Sequence, residues 1–152
     1  MIDELAPAAR PEVAVGVIAV QDDALLLIRR GHGPAAGRWS VPSGRIERGE
    51  TAAEAIVREL QEETGYRADN FELLGVVRPN PAMFSNSCYI YLAHNAVPNG
   101  ETNLDPGESI EVLLTPLEQM KGLITSGKFT HGLHVAAFGL YWMKIGRASC
   151  RE

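Results

Sequence analysis

Residues 44–66 read GRIERGETAAEAIVRELQEETGY, and Glu59, Glu62 and Glu63 fall within one turn of the helix that this stretch predicts. At spacings i, i+3 and i+4 their side chains point to one side of that helix. Like charges repel there. They also sit in the last turn before Gly65, where the helix dipole already presents partial negative charge. A chain selected only for folding would place Lys or Arg at those positions. A hard divalent cation, which carboxylate oxygens bind well, is the simplest reason to keep three acids together. That reasoning points toward chemistry on phosphate.

The flanking residues predict where the helix begins, which face it buries and where it ends. Thr51 is placed to cap the N-terminus, with Glu54 three positions on completing a capping box. Ala52, Ala53, Ile56, Val57 and Leu60 are expected to form an apolar face that docks on a sheet, with the carboxylates along its edge. Arg58 is placed to pair with one of those carboxylates or with Glu50. Gly65 can take the left-handed conformation that stops a helix. Gly44 and Gly49 permit tight turns and a close approach of main chain to a ligand. Three Glu residues alone fit a solvated acidic face equally well; the full spacing shifts the balance.

Taken whole, the spacing is Gly44, five residues, Glu50, seven residues, Arg58-Glu59-Leu60, one residue, Glu62-Glu63, one residue, Gly65-Tyr66. This pattern resembles the Nudix box of the Nudix hydrolase superfamily. Tyr66 departs from the usual final aliphatic slot, and Ser43 stands where many relatives carry Gly or Ala. The resemblance implies an α/β (α+β) fold, an α/β/α sandwich with a mixed β-sheet. It also implies hydrolysis of a diphosphate linked to another group, with Mg²⁺ or Mn²⁺. By motif match Glu59 and Glu63 are the expected main metal ligands, with Glu62 close by and the main chain at Ser43-Gly44 completing the shell. Arg58 would then orient Glu59, and Glu50 would act from farther out.

Pro81, fifteen positions after Tyr66, and the stretch GESIEVLLTPLEQMKGLITSGKFTHGLHVAAFGLYW make the chain similar to the ADP-ribose pyrophosphatase group. That similarity implies a Glu on a loop before a late strand that contributes to the metal site or to water activation, the role of general base. Glu108 fits it best, Glu111 is second, and Glu59 itself is a further candidate. Arg29, Arg30 and Arg45 are candidate phosphate partners, since a guanidinium matches phosphate geometry. Pro81 and Phe84 are candidate substrate-binding residues. Trp39 and Phe84 are candidates to stack on a base, although aromatic residues near strands more often belong to a core. His131 and His134, three apart, have no acidic or cysteine partner and read as incidental.

A chain of 152 residues suits one domain with a real core. A hydrophobic fraction of 45% and a charged fraction of 22% fit a soluble globular protein. The net charge of −5 argues against nucleic acid or anionic membrane as a partner. The apolar run at 13–20 is too short to span a bilayer. The first residues, MIDELAPAARPE, lack a cationic n-region, so no secretory signal is read. Two cysteines, Cys88 and Cys150, make no disulfide framework, and the expected compartment is cytoplasmic.

Strands are expected at 13–20, 24–29, 39–42, 71–77, 88–93 and 110–115, with helices at 116–125 and 131–144. Tyr89 and Tyr91 should share one face of their strand. Loops are expected at 31–38, 78–87 and 95–107. This gives an N-terminal arm at 1–12 and a single domain at 13–144. The last residues, IGRASCRE (145–152), break the preceding helical pattern and resemble a translated sequencing adapter, so a non-native tail is expected there. The apolar final helix can supply a homodimer interface or finish the monomer core. The leading expectation is hydrolysis of ADP-ribose to AMP and ribose 5-phosphate. Alternatives are a (d)NTP pyrophosphohydrolase that cleanses the nucleotide pool, or a non-catalytic nucleotide-sugar-binding domain.

Overall fold

The computed structural model describes residues 13–149. The expected N-terminal arm at 1–12 lies outside the described residues, as do Cys150 and the two residues after it. The chain runs β1 (Val13–Gln21), β2 (Ala24–Arg30), β3 (Trp39–Ser40), β4 (Ser43–Arg45) and α1 (Ala52–Thr64). It continues through β5 (Tyr66–Arg67), β6 (Asn70–Val77), β7 (Ser87–His94), β8 (Val97–Pro98) and β9 (Ile110–Pro116). A 3₁₀ turn (Leu117–Gln119), α2 (Met120–Thr125) and α3 (Gly132–Ser149) complete it.

The main sheet is mixed, with strand order β3-β2-β1-β7-β6. β1 pairs in parallel with β7 along its length, while its other edge pairs antiparallel with β4 at one end and with β2 at the other. β2 then leaves β1 and pairs with β9 from Ala24↔Pro116 to Arg30↔Ile110. This divergence opens the sheet beside β4, against which the later turns of α1 pack.

Period-two alternation divides the strand residues between two cores. Val15, Val17 and Ala19 of β1, Leu26 of β2 and Ala93 of β7 pack with Ala55, Ile56 and Leu60 of α1. Ile18, Leu25, Leu27, Cys88, Ile90 and Leu92 face the other way, against Met120, Phe129, Ala137 and Tyr141. Tyr89 and Tyr91 share the α1 side, as their spacing predicts. Helices therefore cover both faces of a mixed sheet, which is the expected sandwich.

α1 forms for the reasons its sequence suggests. The Thr51 hydroxyl accepts from the Glu54 amide, and the Glu54 carboxylate accepts from the Thr51 amide. Gly65 ends the helix at φ 71°, with its N–H donating to the Gln61 carbonyl. A Cβ there would lie 2.4 Å from the Gly100 carbonyl oxygen, so the loop after β8 packs directly on the helix end. Ile56 and Leu60 are fully buried, each contributing roughly 1.5–3 kcal/mol of apolar burial. The expected apolar face is too broad: Val57 is 50% exposed and Ala53 also faces solvent. Both lie about 100° around the helix from the 52/56/60 line, beyond the reach of the sheet.

Other boundaries move for physical reasons. The helix expected at 116–125 starts as a 3₁₀ turn behind Pro116, which has no amide to donate. β4, β5 and β8 are two or three residues long, too short to leave a periodic pattern. α3 buries His134, Ala137 and Tyr141 on one face and leaves Trp142 and Met143 exposed. It runs to Ser149 instead of breaking at Lys144, since residues 145–149 contain no proline to interrupt it. Among the described residues no helix is long and apolar enough to cross a membrane.

Candidate metal and substrate site

α1, β4 and the loop before β9 enclose a cleft of about 710 Å³. Six carboxylates line it (Glu47, Glu59, Glu62, Glu63, Asp105 and Glu108) against three arginines, Arg30, Arg45 and Arg58. The excess of acid means that a phosphate-bearing ligand needs added positive charge to enter.

The three Glu residues of the last helical turn are not equivalent. Glu63 is only 6% exposed, and its Oε2 accepts from the Ser43 amide at 3.0 Å. Its Oε1 lies 3.9 Å from the Arg30 guanidinium. Burial pushes the Glu63 carboxyl up to about 8, partly countered by the Ser43 hydrogen bond; Glu59 raises it further, Arg30 lowers it and Glu108 raises it. Glu59 is also held above the usual carboxylate range, first by burial, although Arg58 pulls the other way. Glu62 is more open, with its side chain 35% exposed.

Arg58 organises the acidic turn. Its Nε and Nη2 donate to the two oxygens of Glu50 at 2.7 and 3.0 Å, while Nη1 reaches Glu59 at 2.9 Å and Glu62 at 3.2 Å. Nη2 also donates to the Arg45 carbonyl at 3.1 Å, tying α1 to β4. The Arg58 guanidinium holds the Glu50 carboxyl well below its ordinary value, at about 2. Arg58 itself is driven above its own ordinary value, chiefly by the Glu50 hydrogen bond. The sequence reading of Arg58 as the partner of Glu50 and Glu59 agrees with this geometry.

Gly44 meets α1 edge-on. A Cβ built there would lie 2.0 Å from Glu59 Oε1, so any side chain would occupy the carboxylate's place. Among the described residues no three His, Cys, Asp or Glu side chains converge as a ready-made metal cage. Arg58 stands between Glu59 and Glu62, and the Ser43 amide holds one oxygen of Glu63. Each carboxylate nevertheless keeps a second oxygen. An all-oxygen donor set of carboxylates facing the Ser43-Gly44 main chain suits Mg²⁺ or Mn²⁺.

Glu108 reaches the same cleft, with its Oε2 accepting from the Asp105 amide at 3.1 Å. Its loop is tied to the end of α1, where the Asn103 amide donates to the Glu62 carbonyl and the Asn99 amide to the Gly65 carbonyl. These bonds use orphan carbonyls of the helix terminus. Glu111 is instead hydrogen-bonded to Arg29, outside the cleft.

Of the expected phosphate partners, Arg30 and Arg45 line the cleft and Arg29 does not. Arg29 pairs with Glu111 and lies 5.8 Å from the Trp39 ring centre, because successive side chains of β2 face opposite ways. Pro81 and Phe84 belong to the loop between β6 and β7 and do not line the cleft; Phe84 is 60% exposed. Asn103 and Asp105 line it as well, although nothing in their spacing singles them out. His134 is not incidental. It is 4% exposed and accepts the Val41 amide on Nδ1 at 3.3 Å.

A family model described as the NUDIX domain matches residues 10–136. The "ADP compounds hydrolase NudE" of Escherichia coli (strain K12) is 31% identical over 134 residues, covering 86% of this chain and 72% of that protein. An "ADP-ribose pyrophosphatase" of Methanocaldococcus jannaschii is 47% identical over 66 residues, 43% of this chain. The chain spans only 39% of the length of that relative. A solved structure described as an ADP compounds hydrolase superposes with a TM-score of 0.76 at 30% identity, covering 89% of this chain and 75% of that one.

Proposed function

We propose, from the premise that this chain belongs to the NUDIX domain family, that it hydrolyses the diphosphate linkage of a nucleoside diphosphate joined to a second group. The leading substrate is ADP-ribose, which with one water gives AMP and ribose 5-phosphate. The observation that carries this reading is the buried Glu63 and the partly buried Glu59, held against the Ser43-Gly44 main chain in an acid-rich cleft. Relatives whose names specify ADP-ribose or ADP compounds support the substrate class.

When bound, Mg²⁺ or Mn²⁺ supplies charge neutralisation on the diphosphate and orientation for in-line attack at phosphorus. Glu59 and Glu63 are its ligands in this reading, with Glu62 and the Gly44 carbonyl at the margin. Arg58 positions Glu59 by hydrogen bonding, a role that sets the direction of the carboxylate. Glu108 accepts the proton of the attacking water in this reading, since it lines the same cleft as Glu59 and Glu63 from the loop before β9. Arg30 and Arg45 take phosphate oxygens. Arg29, Pro81 and Phe84 do not line this cleft and are given no role in this reading.

The test is a substrate panel with Mg²⁺: ADP-ribose, ADP-glucose and a set of dNTPs, with products resolved by ion-exchange chromatography. The reading expects AMP from the diphosphate compounds at a kcat/KM at least tenfold above any triphosphate. Pyrophosphate release from triphosphates alone would overturn it.

A further inference from the structure

A second cavity, of about 480 Å³, adjoins the acidic cleft and shares Arg30 and Ser43 with it. Its character is the opposite. Arg30 and Arg38 are its charged lining residues, and no carboxylate lines it. Ser40, Ser43 and Thr130 add hydroxyls, and the remaining polar wall is the His131–His134 pair. No Phe, Tyr or Trp lines it, so it lacks the flat apolar wall on which a nucleobase packs. The two imidazoles stack on each other with centroids 4.0 Å apart and planes 12° apart, which uses one face of each ring.

His134 makes the cavity chemically specific. It is nine-tenths buried, and the Val41 amide donates to its Nδ1. Burial holds its conjugate acid down, at about 3, so the ring is neutral and its proton sits on Nε2. Among the described residues Nε2 has no hydrogen-bond partner. The ring therefore offers a fixed N–H donor to whatever fills the space. Arg38 gives one donor to the Gly127 carbonyl and retains others of its five. Two guanidiniums, three hydroxyls and the His134 N–H make a set rich in donors and poor in acceptor charge. Its size also suits a pentose phosphate, within the range of small-molecule sites.

We propose that this cavity receives the sugar-phosphate half of the substrate, with Arg30 and Arg38 on its phosphate and the His134 Nε2–H donating to a sugar oxygen. The nucleoside half then lies on the other side of the diphosphate, away from the histidine pair. This rests on the diphosphate hydrolase reading and adds an orientation to it. Arg30, at the junction of the two cavities, spans the group to be cleaved and the group to be held.

The test uses the full chain in EDTA and follows the imidazole Cε1–H signals by NMR. His94, paired with Glu72 on the far edge of the sheet, serves as internal control. Ribose 5-phosphate is expected to shift the His131 and His134 signals saturably. Adenosine should leave them in place, and inorganic phosphate should do so at tenfold higher concentration. An adenosine response, an equal phosphate response or no response to ribose 5-phosphate would each overturn the assignment. A second arm replaces exposed Ala35 at the cavity wall by Trp (Ala35→Trp) to fill the space without disturbing a packed core. KM for the diphosphate substrate should rise at least tenfold with kcat within threefold of the parent. An unchanged KM beside normal parental turnover would sink the cavity assignment and leave the hydrolase reading standing. Absence of any diphosphate turnover in the parent would sink the hydrolase reading, while the NMR arm still decides the cavity.

Discussion

Gly44→Ala should separate catalysis from folding. The added Cβ would stand 2.0 Å from Glu59 Oε1, 2.1 Å from Cδ and 2.6 Å from Oε2. Ordinary contact begins near 3.4 Å, so the carboxylate must retreat by about 1.4 Å. The obstructing atoms are the end of a flexible side chain and not backbone, so the fold can absorb the change. The stability cost is the partial loss of the Arg58–Glu59 hydrogen bond, about 1–2 kcal/mol, or a Tm drop of about 2–8 °C. A displacement of this size at a catalytic group lowers kcat by about 100-fold, equivalent to about 2.7 kcal/mol of barrier. Gly49→Ala is the control. Gly49 has φ 83° with nothing within 4 Å of its would-be Cβ, so alanine there strains the backbone by about 1 kcal/mol without touching Glu59. Kinetics with saturating Mg²⁺ and thermal melts of both variants decide it. A Gly44→Ala protein with kcat within threefold of the parent would show that Glu59 need not stand where it does.

Glu63→Gln keeps the acceptor for the Ser43 amide but removes the buried charge; kcat should fall at least 1,000-fold, while melts in EDTA at pH 9 show equal or higher Tm. The metal-free protein should lose stability between pH 5 and 8. The folded Glu63 carboxyl titrates near 8 against 4.5 when unfolded, so the folded state binds the extra proton in that window and stability falls as pH rises through it. The contribution is a few kcal/mol, read as a falling Tm in EDTA that Mg²⁺ reverses and Glu63→Gln flattens; a Tm that climbs across the window contradicts the burial argument. Arg58→Ala should lower the midpoint of urea unfolding, because it leaves the carboxylates of Glu50 and Glu59 without their guanidinium. Arg58→Lys should recover less than half, since one ammonium cannot serve Glu50 twice and also reach Glu59 and the Arg45 carbonyl.

The box helix was readable because its determinants are local. Thr51, Glu54, Gly65 and the acidic turn all act within a few residues of one another. The same holds for the central strands, whose alternation places Tyr89 and Tyr91 on one side. What escaped depends on contacts far apart in sequence. Arg29 and Arg30 are equivalent as text, yet strand alternation sends one to Glu111 and the other to the cleft. The partner of His134 is a main-chain amide 93 residues away, and a main-chain group leaves no trace in residue spacing. Asn103 and Asp105 enter the cleft because backbone bonds fasten their loop to the end of α1. Pro81 rested on family likeness and Phe84 on its aromatic ring alone, and neither lines the cleft. The helix runs through Lys144 to Ser149, since a change of composition without proline does not interrupt its backbone hydrogen bonds.

The most direct test of the central claim is AMP formation from ADP-ribose by the purified chain, followed by chromatography with Mg²⁺ present and again with EDTA. AMP and ribose 5-phosphate in equal amounts with Mg²⁺, and neither with EDTA, is the predicted result. Equal rates in the two conditions, or intact ADP-ribose in both, would contradict it.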